Sequence, residues 1–193
     1  ITTIADIPSR GTGLGSSSAL TVGLLNALHT FAGRTPDAEQ LAEEACRIEI
    51  DILGQPIGRQ DQYAAAFGGS NQISFLADDS VNVMPINLDA SALEDNYFLV
   101  YTGMTRKASG ILAKQSASSD KKRSELDSLR QQAIEVREAL ESGDHAAVGR
   151  LLDASWQIKR NLVDGITVSS LDDLYTSIVS MGATGGKLLG AGG

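Results

Sequence analysis

Gly11, Gly13 and Gly15 alternate with Thr12 and Leu14 and run directly into three consecutive hydroxyls, Ser16, Ser17 and Ser18. Glycines permit positive φ and close approach of the backbone to a ligand, so successive N–H groups can converge on an anion. A helix starting at the serines adds the positive end of its dipole, and phosphate binding is the chemistry such a segment offers. A glycine turn with a serine N-cap is the alternative from local sequence alone. Two carboxylates stand out further on. Glu49 falls on the apolar side of a helical segment, where a carboxylate must be paired, protonated or bound to a cation. Asp61 follows a loop containing Gly54, Pro56 and Gly58 and opens a short helical segment closed by Gly68. By position alone it reads as an N-cap.

The elements that must position these residues follow from periodicity and punctuation. A short apolar run with Ile1, Ile4 and Ile7 reads as a strand leading into the loop, and a helix runs from Ser16 to Phe31. A second helix spans 36–53, with Thr35 as N-cap, Pro36 at its first position and Gly54 after its end. Advancing ~100° per residue from Leu41 gathers Ile48, Ile52, Ala45, Ala42 and Leu53 into an arc of about 140°, with Glu49 inside it at about 80°. Strands are expected at 71–76 and 81–86 around Asp78-Asp79-Ser80. A second unit opens with a strand at 97–102. Helices at about 106–117, 120–141, 144–163 and 170–181 follow before the glycine-rich end.

The two best-known phosphate motifs are excluded. A dinucleotide fingerprint needs glycine where Ser16 stands, and Gly186-Lys187 lacks both the following Ser or Thr and the preceding glycine of a Walker A loop. Pro8-x-x-Gly11-x-Gly13-Leu14-Gly15-Ser16-Ser17-Ser18-Ala19 instead resembles the second motif of the GHMP kinases. Glu49, Gly54, Gly58 and Asp61-Gln62 resemble the corresponding stretch of the sugar 1-kinases in that family, and Lys187-Leu188-Leu189-Gly190-Ala191-Gly192-Gly193 resembles the beginning of its third motif. The resemblance implies an α+β, two-lobed fold with a left-handed βαβ unit in the N-terminal lobe (1–90) and a ferredoxin-like C-terminal lobe (91–193).

It also implies ATP as phosphoryl donor, bound along Gly11, Thr12, Gly13, Leu14, Gly15, Ser16, Ser17 and Ser18, with Mg²⁺ held by Ser17 and Glu49. Asp61 would be the catalytic residue beside the accepting hydroxyl, and Asp61, Arg106, Gly190, Ala191 and Gly192 would contact the sugar phosphate. Four phrases, Ser16–Ala19, Ile48–Asp51, Gly58–Ala65 and Tyr101–Arg106, with Trp156 and Lys159-Arg160, resemble the heptose 7-phosphate kinase branch. Another sugar 1-kinase, or a catalytically silent sugar or nucleotide sensor, is the competing expectation. The first family motif is not found and the third stops partway, so the chain is expected to be part of a longer kinase and inactive alone.

With 193 residues, 42% of them hydrophobic, the chain can bury a sizeable core. A net charge of −8 argues against a nucleic-acid partner but permits small anions held by a local nest of N–H groups, a cation and one or two basic side chains. No stretch approaches the roughly 18 apolar residues of a membrane span, so no membrane partner is expected. Cys46 is the sole cysteine and reads as a packing residue in a cytoplasmic protein. His29 and His145 are isolated and read as packing or surface residues, and Lys121-Lys122-Arg123 as a solvated face.

Overall fold

The computed structural model describes residues 13–103, 122–162 and 165–190, and the chain divides into two compact units between Pro85 and Ile86. The expected strand at Ile1–Ile7, the helix at 106–117, and Gly11, Thr12, Arg106, Ala191 and Gly192 lie outside the described residues.

In the N-terminal unit, α1 (Ser16–Phe31) begins on Gly15, whose left-handed backbone (φ 67°, ψ 20°) turns the chain into the helix. Helix α2 (Ala38–Cys46) is capped by Asp37, whose carboxylate accepts from the Gln40 N–H at 2.8 Å. Thr35 is therefore not the cap. Asp37-x-x-Gln40 resembles a capping box, and an anionic acceptor suits the helix start better than a hydroxyl does. From Arg47 to Ile52 the helix widens into a π-helical turn, marked by the Leu53 N–H bonding the Ile48 carbonyl at 2.9 Å. The extra residue in that turn shifts the register of the apolar stripe. Glu49 stays buried, whereas Ile52 and Leu53, expected in the buried arc, are 67% and 61% exposed.

Helix α3 (Gln60–Phe67) ends on Gly68 at φ 63°, and strands β1 (Asn71–Phe75) and β2 (Val81–Pro85) form an antiparallel hairpin with Ile73 opposite Val83. Asp78 makes the turn by accepting from both the N–H and the hydroxyl of Ser80, and Asp79 takes φ 66°. Val22, Leu41 and Ala45 form one part of the core, with Leu25, Ala65 and Ala66 against them. Ala42, Cys46 and Tyr63 form the other, covered by Ile73, Val81 and Val83. Cys46 is thus a core residue, and burial pushes its thiol up to about 11. His29 is buried and meets Glu44 at 2.6 Å, joining α1 to α2.

The C-terminal unit contains α4 (Ala90–Asn96), capped by Asp89, then α5 (Arg123–Glu141), α6 (His145–Lys159) and α7 (Ser169–Ser180). Gly143 (φ 72°) and the Asp144 cap close α5 and α6 into a hairpin. Residues 97–102, read from sequence as a strand, carry no ladder among the described residues, and the segment is largely exposed. Apolar alternation makes a strand only where a neighbour takes its backbone donors and acceptors. Among the described residues, β1–β2 is the one sheet, and no helix is long and apolar enough to cross a membrane.

Trp156, Leu162 and Ile166 form the core of this unit, with Leu126, Leu129, Tyr175 and Leu188 against them. The glycine-rich segment from Gly182 to Gly190 returns along α6. A Cβ on Gly149 would sit 2.0 Å from Thr184 Oγ1, and one on Gly185 would sit 2.0 Å from the Gly149 carbonyl oxygen. Backbone therefore crosses backbone where neither partner can carry a side chain. Gly149→Ala is expected to destabilise this unit by about 2 kcal/mol or more through overpacking. Urea unfolding reads the change, and an unaltered midpoint contradicts the close crossing.

Candidate active site

The loop–helix junction supplies the first component. Gly15 caps α1 with no side-chain hydrogen bond, and the first helical bond runs from the Ala19 N–H to the Gly15 carbonyl at 3.0 Å. The N–H groups of Ser16, Ser17 and Ser18 precede that bond and open the positive end of the dipole. An anion held by backbone donors fits there without any cationic side chain. Gly13, at φ 69°, and Leu14 lead into the junction and are exposed.

A buried carboxylate lies behind the helix start. Glu49 is 4% exposed, and its Oε2 accepts from Ser18 Oγ at 2.8 Å and from Gln62 Nε2 at 2.6 Å. Ser18 and Gln62 are also buried. These two bonds tie α1 and α3 to the π-helical turn and account for a carboxylate on an apolar face, since buried charges persist where hydrogen bonds replace water. The hydroxyl that meets Glu49 is that of Ser18. Ser17, expected from the family pattern to share a cation with Glu49, is exposed at the helix start, and its carbonyl accepts from Thr21 Oγ1 at 3.0 Å.

Asp61 completes the group. It occupies the first turn of α3, whose N-cap is Arg59, so the N-cap reading fails. Its carboxylate instead faces the glycine loop: a Cβ on Gly15 would lie 3.4 Å from Asp61 Cγ and Oδ2. Gly15 is glycine for its positive φ, and a Cβ there would make only ordinary van der Waals contact with Asp61. Asp61 keeps contact with solvent, yet the protein atoms around it hold its pKa above the ordinary carboxylate value, and the negative charge of Glu49 adds to the shift. Placement of α3 is firm because Tyr63 is buried between Phe67 and Phe75, while Arg59 stacks over Phe75 and donates to the Asp79 carbonyl at 3.3 Å.

The structure therefore assembles Gly15, the N-terminus of α1, Glu49 and Asp61 from three separate segments. Among the described residues no three His, Cys, Asp or Glu side chains converge as a closed metal site. What is present suits a hard cation that binds few protein oxygens and takes the rest from water and phosphate: one buried carboxylate, a second carboxylate within its field, and serine hydroxyls. Gln62 adds a buried Oε1 with no hydrogen-bond partner among the described residues. The sequence pairs Gln62 with Asp61 without giving it a contact; on α3 the two neighbours divide between the loop and the interior. Gly190 lies in the other unit, where its carbonyl accepts from Lys159.

Glu49→Gln retains an oxygen able to accept from Ser18 and Gln62 and should leave stability nearly unchanged. Glu49→Ala orphans both donors and should cost about 3 kcal/mol. Chemical denaturation of the two variants checks this, and equal losses would show that the pair of bonds does not hold the site together.

Residues 1–69 match the GHMP kinases N terminal domain and residues 136–193 the GHMP kinases C terminal domain. The chain is 35% identical over 195 residues to the D-glycero-alpha-D-manno-heptose 7-phosphate kinase of Campylobacter jejuni, spanning 98% of this chain and 57% of that protein. It is 30% identical over 202 residues to the L-fucokinase/L-fucose-1-P guanylyltransferase of Bacteroides fragilis, spanning all of this chain and 21% of that protein. The crystal structure of a D-glycero-D-manno-heptose 1-phosphate kinase from Bacteroides thetaiotaomicron superposes with a TM-score of 0.72 at 28% identity, over 99% of this chain and 54% of that one. The chain spans little more than half of the two heptose kinases it matches.

Proposed function

This chain belongs to the GHMP kinases, and from that premise we propose that its protein transfers the γ-phosphoryl group of ATP to the anomeric hydroxyl of D-glycero-D-manno-heptose 7-phosphate. The observation that carries the reading is the Asp61 carboxylate seated against the left-handed Gly15 at the uncapped start of α1. A base for an accepting hydroxyl and a cradle for a donor phosphate are thereby adjacent, and phosphoryl transfer asks a protein mainly for such positioning and for charge stabilisation.

In this reading the Gly11–Ser18 loop binds the donor phosphates through backbone N–H groups. Asp61 orients the anomeric hydroxyl and takes its proton as the sugar oxygen bonds to phosphorus and ADP departs. Ser17 and Glu49 are the residues that would hold Mg²⁺, which when bound offsets phosphate charge. Ser18 and Gln62 keep Glu49 in place. The heptose 7-phosphate assignment rests on the 35% identity to the Campylobacter enzyme, and the fucokinase relative makes an unphosphorylated sugar the competing acceptor.

ADP release by the full-length protein should be fastest with the heptose 7-phosphate among a panel of sugars and sugar phosphates; faster turnover of fucose or galactose reassigns the acceptor, and no ADP release with any of them rejects the kinase reading. Asp61→Asn should lower kcat by roughly 10² while leaving ATP affinity within a few-fold. The same change should raise the melting temperature of the ligand-free protein. The folded-state pKa of Asp61 lies above its unfolded value, so its ionisation costs stability above the folded pKa and costs nothing below the unfolded one. For the same reason the acid limb of kcat/KM should fall above the pH of an ordinary carboxylate.

A further inference from the structure

We propose that Gln62 sets which divalent cation Glu49 accepts, by engaging one carboxylate oxygen so that only the other can meet a metal ion. This role rests on the proposed reading of Glu49 as a cation ligand. Ser18 Oγ, at 2.8 Å, and Gln62 Nε2, at 2.6 Å, donate to the same oxygen, Oε2, and among the described residues no donor meets Oε1. A carboxylate oxygen offers about two lone pairs, so Oε2 is fully engaged while Oε1 stays open. Burial fixes the asymmetry. Glu49, Ser18 and Gln62 are 4%, 1% and 0% exposed, and the Gln55 N–H holds the Glu49 backbone carbonyl at 3.0 Å.

A carboxylate held in this way discriminates between hard cations. Ca²⁺ collects many oxygens, often both of one carboxylate, whereas the smaller Mg²⁺ keeps several waters and needs few protein oxygens beside those of phosphate. A single open oxygen that cannot swing into a two-oxygen grip therefore favours Mg²⁺. The other end of the Gln62 amide adds to the preference. Its Oε1 is buried with no hydrogen-bond partner among the described residues, and a buried acceptor is costly until a donor reaches it. Water retained by a hydrated cation supplies such a donor, and a cation stripped of its water does not. Gln62 is thus a positioning residue that acts on the metal through Glu49. Its neighbour Asp61 faces the glycine loop, so one turn of α3 carries both the proposed base and the residue that orients the cation-binding carboxylate.

The affinity of the full-length protein for ADP, measured calorimetrically with either Mg²⁺ or Ca²⁺ saturating, tests this role. The wild-type protein is expected to bind ADP more tightly with Mg²⁺. Gln62→Met nearly keeps the side-chain volume but removes the donor, so Oε2 becomes available and the Mg²⁺-to-Ca²⁺ affinity ratio should fall about tenfold. Ser18→Ala removes the other donor to the same oxygen and should move the ratio in the same direction. A residue that merely supports the fold would weaken ADP binding alike with both cations, so an unchanged ratio in Gln62→Met overturns the proposal. A wild-type ADP affinity indifferent to the choice of cation overturns it as well. The Gln62 side-chain amide gives a readout that needs no variant: in NMR spectra of the wild-type protein with Mg²⁺ and ADP bound, its protons should exchange slowly with water. Rapid exchange would mean that the bond to Glu49 is lost, and would contradict the role. Cation discrimination in a protein that turns over no sugar or sugar phosphate would reject the kinase reading and leave the role of Gln62 standing.

Discussion

Two hydrogen bonds to one oxygen organise the N-terminal unit. Ser18 comes from the helix that opens the glycine loop, Gln62 from the helix that carries Asp61, and both donate to Glu49 Oε2 in the interior. A buried carboxyl group needs such donors to replace the water it has lost, and here they register three segments around one oxygen. The π-helical turn has a place in this arrangement. By adding a residue to one turn it turns Ile52 and Leu53 outward while Glu49 remains inside. Such turns inside α-helices recur at functional sites, where they re-aim a side chain.

Charge is distributed unevenly in keeping with this. The loop–helix junction provides positive potential through backbone groups alone, while Glu49 and Asp61 stand close enough for one to raise the pKa of the other. That repulsion is a cost to the ligand-free protein and a gain for any cation that binds there. In the C-terminal unit the imbalance is reversed. Lys159 donates there to the carbonyl oxygens of Leu188 and Gly190, and no carboxylate among the described residues lies within ion-pair distance of it.

Much of the first site was legible in the sequence because its determinants are local. Alternating glycines before a run of serines specify a left-handed entry to a helix, and a Glu at helical spacing among Leu41, Ala42 and Ala45 has no bland place to go. What the sequence hid depends on tertiary partners. The π-helical turn overrode a uniform 100° advance, and the cap moved from Thr35 to Asp37 because two plausible acceptors compete within three residues. The hydrogen bond from Ser18 to Glu49 is a pairing that only the helix phase decides. The segment 97–102 has the composition of a strand but no ladder among the described residues. The terminal glycine run could have been a loose tail; instead Gly185 lies against Gly149, a close approach with no signature in either local sequence.

The claim on which the functional reading turns is that the start of α1, with Asp61 and Glu49 behind it, receives the phosphates of a nucleotide. Amide NMR of the full-length protein titrated with ADP and Mg²⁺ tests it most directly. The largest shifts should fall on the backbone amides from Gly13 to Ser18, with the Gln62 side-chain amide moving through its bond to Glu49. Saturable nucleotide binding that leaves those amides unmoved would contradict the account.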